Sequence, residues 1–260
     1  MDIWQESVPI RFASVDGSDR LTLGAAFGFF QEAAISHAEA LGVGRDALTK
    51  NGQAWVLSRF SAFFEARPRY EEIVTVKTWP RGPEKLFALR DYLIEDNSEK
   101  TLVRGRGAWL VIDVEKRRPM RIEPVMQNLP LNEGRNAFNS VPPSLAARED
   151  LIPAGIRQAA YSDIDFYGHV NNVRYVQWIL DITPPELLNK AGQMRLNINY
   201  LNETLPGEKV ELYSAARESW AQDNKSIGND NYPAKPDAAF VYEGRRSGLP
   251  VFRAEIIFGS

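Results

Sequence analysis

The chain has 260 residues, of which 44% are hydrophobic and 25% are charged, and its formal net charge at pH 7 is −3. This composition is typical of a soluble globular protein with a sizeable core, and the negative net charge argues against a general nucleic-acid binder. The absence of cysteine excludes disulfides, thiolate catalysis and cysteine-based metal sites, and two histidines are too few for a histidine-rich zinc site.

The familiar catalytic and targeting signatures are also missing. No G-x-S-x-G elbow and no phosphate-binding glycine loop occurs, so the sequence predicts neither an α/β-hydrolase mechanism nor a nucleotide, and we expect no cofactor and no metal. No apolar run approaches the length that spans a bilayer, and residues 1–12 carry no basic leader followed by an apolar core. We therefore expect a cytoplasmic protein.

The first half of the chain predicts one long helix followed by antiparallel strands. A strand at 8–12 and a polar turn at 14–20 precede the helix. The apolar residues of this helix recur at helical spacing and are Leu23, Ala26, Phe27, Phe30, Ala34 and Leu41. Strand patterns follow at 55–64, 73–79, 86–95 and 102–113. The last two strands flank an Asp-Asn-Ser turn, which is typical of a hairpin.

The second half repeats this order of elements. A strand at 155–161 leads through an acidic turn to a helix that starts near Val170. Further strand patterns follow at 195–201, 208–214, 239–243 and 250–258. The two helices start about 148 residues apart, a spacing that suits a duplicated domain.

The repeat predicts an α+β fold with two domains, each a helix whose apolar side is covered by a curved antiparallel sheet. We place the domains at 1–123 and 151–260, with a linker at 124–150 that holds four prolines. A polar loop at 219–236 is expected to project from the second sheet. Two unrelated α+β domains are the alternative.

The segment 161–181 carries the densest set of reactive side chains. Asp163, Asp165 and His169 precede the paired asparagines Asn171 and Asn172, directly before an amphipathic run. A helix N-terminus offers unpaired N–H groups and partial positive charge, which suit an oxyanion, and Asp165 or either asparagine could cap it. Taken singly, the two acids are equally explained as turn residues and His169 as a loop histidine.

This segment resembles the DxDxNxHVNN-type motif of the acyl-ACP thioesterase family of plants and bacteria. The matching residues are Asp163, Asp165, His169, Val170, Asn171 and Asn172. Tyr167 departs from the motif, because plant members carry a catalytic Asn there. Downstream, NYLNET at 199–204 corresponds to the plant pattern EYRREC, so that Glu203 matches the catalytic Glu and Thr204 stands in place of Cys. The segments WVLSRF (55–60) and RGAWLVID (106–113) extend the resemblance.

The resemblance implies a tandem, or double, hotdog fold and hydrolysis of fatty acyl-ACP to free fatty acid and holo-ACP, as in fatty acid biosynthesis. Asp165 is then expected to act as general base or nucleophile, with Glu203 as the partner carboxylate. His169 is expected to orient the thioester or the water, or to move a proton. Either the role of the missing Asn falls to Asn171, which joins the predicted catalytic set, or to Asn202, or catalysis depends less on that role in this chain.

Both domains are expected to contact the substrate. Backbone N–H groups from 168 to 171 are candidates for an oxyanion hole, and Gly168 permits close approach of the backbone. Tyr167, Gly168 and Val170 are the predicted substrate contacts of the catalytic domain. The acyl chain is assigned to the first domain, where ordinary core packing is the competing explanation for the candidates Phe27, Phe30 and Trp55. His37 lies on the apolar side of the first helix, which favours a core histidine.

The resemblance also implies an acidic partner, acyl carrier protein, which requires a basic docking surface. The predicted surface comprises Lys116, Arg117, Arg118 and Arg121, with Arg81 and Lys85 nearby, although an ordinary solvated face explains these charges equally well. A homodimer remains open. Two other functions are compatible with the fold: an acyl-CoA thioesterase, and a non-catalytic acyl-binding protein that the replacement at Tyr167 favours.

Overall fold

The structure is a computed structural model that divides into two compact units, Met1–Pro142 and Pro143–Ser260. The residues that it describes are 2–127, 129–132, 134–217, 232–233 and 236–259. The division falls inside the stretch 124–150, whose residues are shared between the two units. Most of the predicted loop at 219–236 lies outside the described residues.

The first unit consists of a long helix and an antiparallel sheet. Its elements are β1 (Trp4–Pro9), α1 (Leu23–Ala40), α2 (Arg45–Thr49), β2 (Gln53–Phe64), β3 (Ile73–Glu84), β4 (Phe87–Glu95), β5 (Thr101–Asp113), β6 (Arg118–Pro119) and α3 (Glu123–Met126). The strand order is β1-β3-β4-β5-β2, and β6 pairs with β5. The helix α1 packs against β1 and β3.

Helix α1 forms where capping and apolar spacing agree. The Thr22 hydroxyl accepts the Ala25 N–H at 3.0 Å and so caps the first turn. The predicted apolar side is buried, apart from Leu41, which lies just beyond the helix end and is half-buried. Phe30 contacts the rings of Tyr92 and Phe60, with centroid distances of 5.0 and 6.0 Å. This aromatic cluster fills the space between helix and sheet.

Buried polar side chains of the first unit form hydrogen-bonded pairs. His37 on α1 is fully buried, and its Nδ1 lies 3.1 Å from a guanidinium nitrogen of Arg90, which confirms the prediction of a core histidine. The carboxylate of Asp91 accepts two hydrogen bonds from Arg106, at 2.6 and 2.7 Å, and one from the Ala137 N–H at 2.8 Å. The latter bond fastens part of the predicted linker onto the sheet of the first unit.

The second unit repeats this topology. Its elements are β7 (Ile152–Gln158), α4 (Asn172–Asp181), α5 (Pro185–Lys190), β8 (Gln193–Tyr200), β9 (Lys209–Ala216), β10 (Pro236–Arg246) and β11 (Leu249–Gly259). The strand order β7-β9-β10-β11-β8 reproduces that of the first unit, strand for strand. The Tyr175 ring on α4 packs against Tyr200 and Phe252 of the sheet. The predicted α+β double hotdog fold is therefore confirmed.

The predicted elements differ from the observed ones mainly at their ends. The first strand of each unit begins and ends earlier than predicted, because residues Phe12–Ser14 and Tyr161–Asp163 form short 3₁₀ turns instead. The short helices α2, α3 and α5 were not predicted, since four to six residues are too few to show a helical period. Among the described residues, no helix is long and apolar enough to cross a membrane.

Candidate active site

The turn between Asp165 and His169 is closed by its own backbone. The Asp165 N–H donates to the His169 carbonyl at 2.9 Å, and the Gly168 N–H donates to the Asp165 carbonyl at 3.0 Å. Gly168 has a φ of 81°, a left-handed conformation that glycine adopts without strain. The Oδ1 of Asp165 accepts the Tyr167 N–H at 2.9 Å. Its Oδ2 has no hydrogen-bond partner among the described residues and is therefore available for chemistry.

Helix α4 starts directly after this turn. The Oδ1 of Asn171 accepts the Val173 N–H at 2.9 Å, so Asn171 is the cap among the three residues predicted for that role. Because this bond identifies the oxygen of the amide, the Nδ2 group points the other way. That Nδ2 group has no acceptor within the described part of the chain. Asn171 therefore combines a structural oxygen with an available N–H donor.

Asp163 serves the structure of the turn. Its carboxylate accepts the Ala160 N–H at 2.9 Å and lies 3.7 Å from the Nε of Arg174. Its backbone carbonyl accepts the Asn171 N–H at 2.9 Å. These contacts hold the turn against the first residues of α4, as the turn interpretation of this acid predicts.

His169 brings the second acid to the turn. Its Nε2 lies 3.3 Å from Oε2 of Glu203, and both side chains are about one third exposed, at 37% and 35%. The adjoining residues are fastened by a bond of 2.9 Å from the Val170 N–H to the Thr204 carbonyl. Glu203 lies three residues beyond the end of β8 rather than on the strand itself. The imidazole is thus linked to the Asp165 turn by its backbone and to Glu203 by its ring.

The backbone donors near the helix start are fewer than predicted. Three of the candidate N–H groups, those of Gly168, Val170 and Asn171, are already hydrogen bonded within the turn or to Thr204. The side chain of Val170 is also buried, at 4% exposure. Within the described residues, the backbone N–H groups of His169 and Asn172 have no acceptor. These two donors and the Asn171 amide remain for an oxyanion.

Tyr167 lies at the surface beside the turn. It is 44% exposed, and its ring contacts that of Phe166 at a centroid distance of 4.4 Å. Asn202, the other residue that could replace the missing Asn, donates its amide to the Pro250 carbonyl at 2.7 Å. Because that bond occupies the Asn202 amide, Asn171 is the better placed of the two.

The turn of the second unit has a counterpart in the first. The Asp16 N–H bonds the Arg20 carbonyl at 2.9 Å. This bond reproduces the one from Asp165 to His169. Arg20 therefore occupies the position in the first unit that His169 occupies in the second unit.

The segment facing the turn is duplicated as well. The Leu21 N–H donates to the Pro68 carbonyl at 2.8 Å. In the second unit, the Val170 N–H donates to the Thr204 carbonyl in the same way. Arg67 and Glu203, which precede these two acceptors, therefore occupy equivalent places.

The equivalent pair in the first unit is in direct contact. The Nη1 of Arg67 lies 2.6 Å from the Oδ2 of Asp16, and the Arg67 side chain is 2% exposed. In the second unit, Asp165 and Glu203 stand at the two equivalent backbone positions. Alignment of the two halves on their turns is the sequence signal that could have identified Arg67.

The predicted acyl-chain residues lie in the core of the first unit. Phe27 and Phe30 are buried, and Phe27 contacts Phe60 at a centroid distance of 4.6 Å. Trp55 donates its Nε1–H to the Val43 carbonyl at 2.8 Å. Ordinary core packing therefore explains the contacts of these three aromatic side chains.

Comparison with known proteins identifies relatives over nearly the whole chain. Residues 1–128 match the acyl-ACP thioesterase N-terminal domain, and residues 157–235 match the acyl-ACP thioesterase C-terminal domain. A chloroplastic palmitoyl-acyl carrier protein thioesterase of Cuphea hookeriana is 26% identical over 218 residues, which are 77% of this chain and 52% of that protein. This chain therefore spans about half the length of the curated relatives it matches.

Solved structures show the same fold. An acyl-ACP thioesterase from Bacteroides thetaiotaomicron is 25% identical, with a TM-score of 0.76, covering 98% of this chain and 97% of its own. A 12:0-ACP thioesterase from Umbellularia californica is 19% identical, with a TM-score of 0.80 and coverage of 98% and 93%.

Proposed function

We propose that this chain, which belongs to the acyl-ACP thioesterase family, hydrolyses fatty acyl-ACP to a free fatty acid and holo-ACP. One observation supports this activity above the others. His169 lies between the Asp165 turn and the Glu203 carboxylate, directly before the N-terminus of α4. Two carboxylates, an imidazole and available N–H donors form a hydrolytic set that needs no serine or cysteine nucleophile.

The proposed reaction uses water as the nucleophile. The available Oδ2 of Asp165 accepts a proton as the water oxygen bonds to the thioester carbon. The carbon–sulfur bond then breaks, and the leaving sulfur takes up a proton from His169. Asp165 releases to solvent the proton that it took from the water, and His169 regains one from solvent, so both groups return to their starting state. The Glu203 Oε2 lies 3.3 Å from the imidazole Nε2 and orients the ring for this transfer. The thiol is comparatively acidic, so protonation of the leaving group is a modest requirement.

The developing oxyanion is assigned to donors at the helix start. The N–H groups of His169 and Asn172 are available there, and the Nδ2 of Asn171 is the side-chain donor. Loss of a single oxyanion donor commonly reduces kcat by ~10²–10³. We assign the role of the family Asn to Asn171, because Tyr167 offers one hydroxyl in place of an amide.

The two units are proposed to contact different parts of the substrate. The first unit, whose turn carries the Asp16–Arg67 ion pair in place of two carboxylates, holds the acyl chain beside the aromatic cluster of Phe27 and Phe30. Trp55 is proposed to border that space. In the second unit, Tyr167 and Gly168 are proposed to contact the substrate near its thioester.

Acyl carrier protein is proposed to dock on the basic turn around β6. Residues 116–118 and Arg121 are exposed, with the Lys116 side chain at 71%. Arg81 does not belong to this surface: it is 16% exposed, donates to the Asn132 carbonyl and lies 3.9 Å from Asp91. Cytoplasmic localisation and a homodimer stay predictions.

The docking proposal is tested by reversing charge. We expect the double variant Arg117→Glu/Arg118→Glu to lower kcat/KM for acyl-ACP about tenfold at low salt, because complementary charge mainly speeds association. The same variant should hydrolyse acyl-CoA at the wild-type rate. Equal loss on both carriers would contradict a docking role for this turn.

The activity itself is tested by comparing carriers. Purified chain is given one acyl group on ACP and on CoA, and free thiol and fatty acid are measured. The proposal expects turnover with a higher kcat/KM for ACP. A preference for CoA would indicate an acyl-CoA thioesterase, and tight binding of acyl-ACP without any turnover would indicate an acyl-binding protein.

A further inference from the structure

Glu203 lies in an irregular connection rather than in a helix or a strand. This connection, residues 201–208, joins β8 to β9, and most of its residues are exposed. Regular backbone pairing therefore does not fix the place of the Glu203 carboxylate. The individual hydrogen bonds that the connection makes to the rest of the second unit must fix it instead.

On the side of β8, the connection is fastened to β11. The backbone N–H groups of Leu201 and Asn202 both donate to the Val251 carbonyl, at 2.8 and 3.1 Å. The side-chain amide of Asn202 donates to the neighbouring Pro250 carbonyl at 2.7 Å. Asn202 is therefore held both by its backbone and by its side chain, directly before Glu203.

On the side of β9, the connection is fastened by Glu208. Its Oε2 accepts the Leu205 N–H at 2.7 Å and also an N–H of Arg246, which lies at the end of β10. The Leu205 N–H and then Arg246 hold the pKa of Glu208 below its usual value, so this carboxylate is charged at neutral pH. One carboxylate oxygen thus joins the backbone two residues beyond Glu203 to a basic side chain of the sheet.

The duplicated fold shows which of these bonds the backbone itself requires. In the first unit, the N–H groups of Glu65 and Ala66 share one carbonyl, that of Leu102, in the same way. The Oε2 of Glu72 accepts the Arg69 N–H at 3.2 Å, as Glu208 does for its own connection. The shared carbonyl and the carboxylate cap are therefore common to both units.

The two remaining side-chain bonds occur in the second unit alone, as far as the structure describes the chain. Ala66 stands at the position of Asn202 and has no amide to donate. Glu72, at the position of Glu208, makes no ion pair within the described part of the first unit. The bonds of Asn202 and Arg246 therefore accompany the connection that carries the candidate catalytic acid, which argues against a general requirement of the fold.

We propose that Asn202 and Arg246 are positioning residues that hold the Glu203 carboxylate beside the imidazole of His169. Asn202 acts on the backbone before Glu203, and Arg246 acts through Glu208 on the backbone after it. When either bond is removed, the exposed connection can move, and the approach of 3.3 Å between the acid and the ring is populated less. The part of the proposal that concerns catalysis rests on the proposed hydrolase function.

The geometry is tested without reference to activity by the imidazole signals in the nuclear magnetic resonance spectrum at neutral pH. The chain has two histidines, and His37 is buried in the first unit, so its signal is an internal reference. Glu203→Gln gives the shift of the His169 signal that loss of the carboxylate causes. Asn202→Ala and Arg246→Ala should each move the His169 signal in the same direction and leave that of His37 in place. An unmoved His169 signal in both variants would overturn the proposal.

The catalytic consequence is tested by a double-mutant cycle with acyl-ACP as substrate. Asn202→Ala should lower kcat about tenfold with KM within about twofold, because it acts through Glu203 and not on substrate binding. In a Glu203→Gln background the same change should cost less than about twofold, since the carboxylate that it positions is absent. An equal tenfold loss in both backgrounds would overturn the positioning role.

The neighbouring arginine on β10 provides a matched control. Arg245, like Arg246, is half-buried and ion-paired, but its partner is Glu243. Arg246→Ala should lower kcat, and Arg246→Lys should recover most of the loss, because a lysine still offers a cation to Glu208. Arg245→Ala should retain kcat within about twofold. An equal loss of kcat in Arg245→Ala and Arg246→Ala would overturn the role of Arg246.

The spectrum and the kinetics separate this proposal from the proposed function. If the wild-type chain releases no thiol from acyl-ACP, the proposed function fails, while the His169 signal still decides whether Asn202 and Arg246 hold Glu203 in place. If thiol is released and the His169 signal is unmoved in both variants, the hydrolase function stands and the positioning role fails.

Discussion

At the scale of single residues, the two units differ by a few side chains on one shared backbone turn. The first unit pairs Asp16 with Arg67 at 2.6 Å, whereas the second has acids at both equivalent positions, Asp165 and Glu203. This partly buried ion pair occupies one oxygen of Asp16, and the N–H groups of Ser18 and Arg20 occupy the other. The proposed chemistry of the second unit therefore requires a glutamate in place of this arginine and the imidazole of His169.

The dual role of Asn171 can be separated by substitution. Asn171→Ser keeps an oxygen that caps α4 but removes the Nδ2 donor, so we expect Tm within about 2 °C of wild type and kcat lowered by ~10²-fold. Asn171→Ala removes both groups and should also destabilise the protein by about 1 kcal/mol. Thermal unfolding and steady-state kinetics check these outcomes. Wild-type kcat in Asn171→Ser would show that the amide does not serve the oxyanion.

At the scale of elements, sequence patterns predicted what depends on local periodicity. The spacing of Leu23, Ala26, Phe27 and Phe30 predicted α1, because a helical period is readable over several turns. The offset between the two halves predicted the duplication. Which backbone donors stay available could not be predicted, because the Val170 N–H finds its acceptor, Thr204, far along the chain.

The same limit on prediction from local sequence applies to the candidate site. Asp165, His169 and Glu203 were found because they match a family motif in adjacent segments of sequence. Arg67 was not found, because its contact with Asp16 joins two residues that lie 51 positions apart in the sequence.

Strand β10 depends on a glycine for its packing against β11. A Cβ at Gly244 would lie 2.3 Å from a ring carbon of Phe252, which is fully buried. We expect Gly244→Ala to destabilise the protein by about 1–3 kcal/mol, because the Phe252 ring must move within a filled core. Gly155→Ala is the control, since its Cβ would meet Ile182 at an ordinary 3.6 Å. Equal urea midpoints for the two variants would contradict this packing.

At the scale of the whole molecule, buried phenols link stability to alkaline pH. Burial raises the pKa of Tyr92 and of Tyr175 to about 12, and it raises those of Tyr200 and Tyr242 further. The unfolded chain loses these protons near pH 10, the ordinary value, while the folded chain keeps them. The stability that these groups contribute is therefore complete below pH 10 and is lost as the pH rises through about 12.

Urea unfolding measures this dependence. Each such tyrosine should weaken folding by about 1.4 kcal/mol for every pH unit above 10 until its folded pKa is reached. The urea midpoint should fall steeply in this range, and tyrosinate absorbance should rise together with unfolding. A midpoint that stays constant while tyrosinate forms gradually would show that these phenols are accessible in the folded protein.

The central claim is that Asp165 and Glu203 carry out thioester hydrolysis at one site, and kcat of matched amide variants with acyl-ACP tests it most directly. Asp165→Asn and Glu203→Gln should each lower kcat by ~10²-fold or more while Tm stays near that of wild type. Asp163→Asn, whose carboxylate serves the turn, should lower Tm and retain kcat within about threefold. Wild-type kcat in both Asp165→Asn and Glu203→Gln would contradict the account.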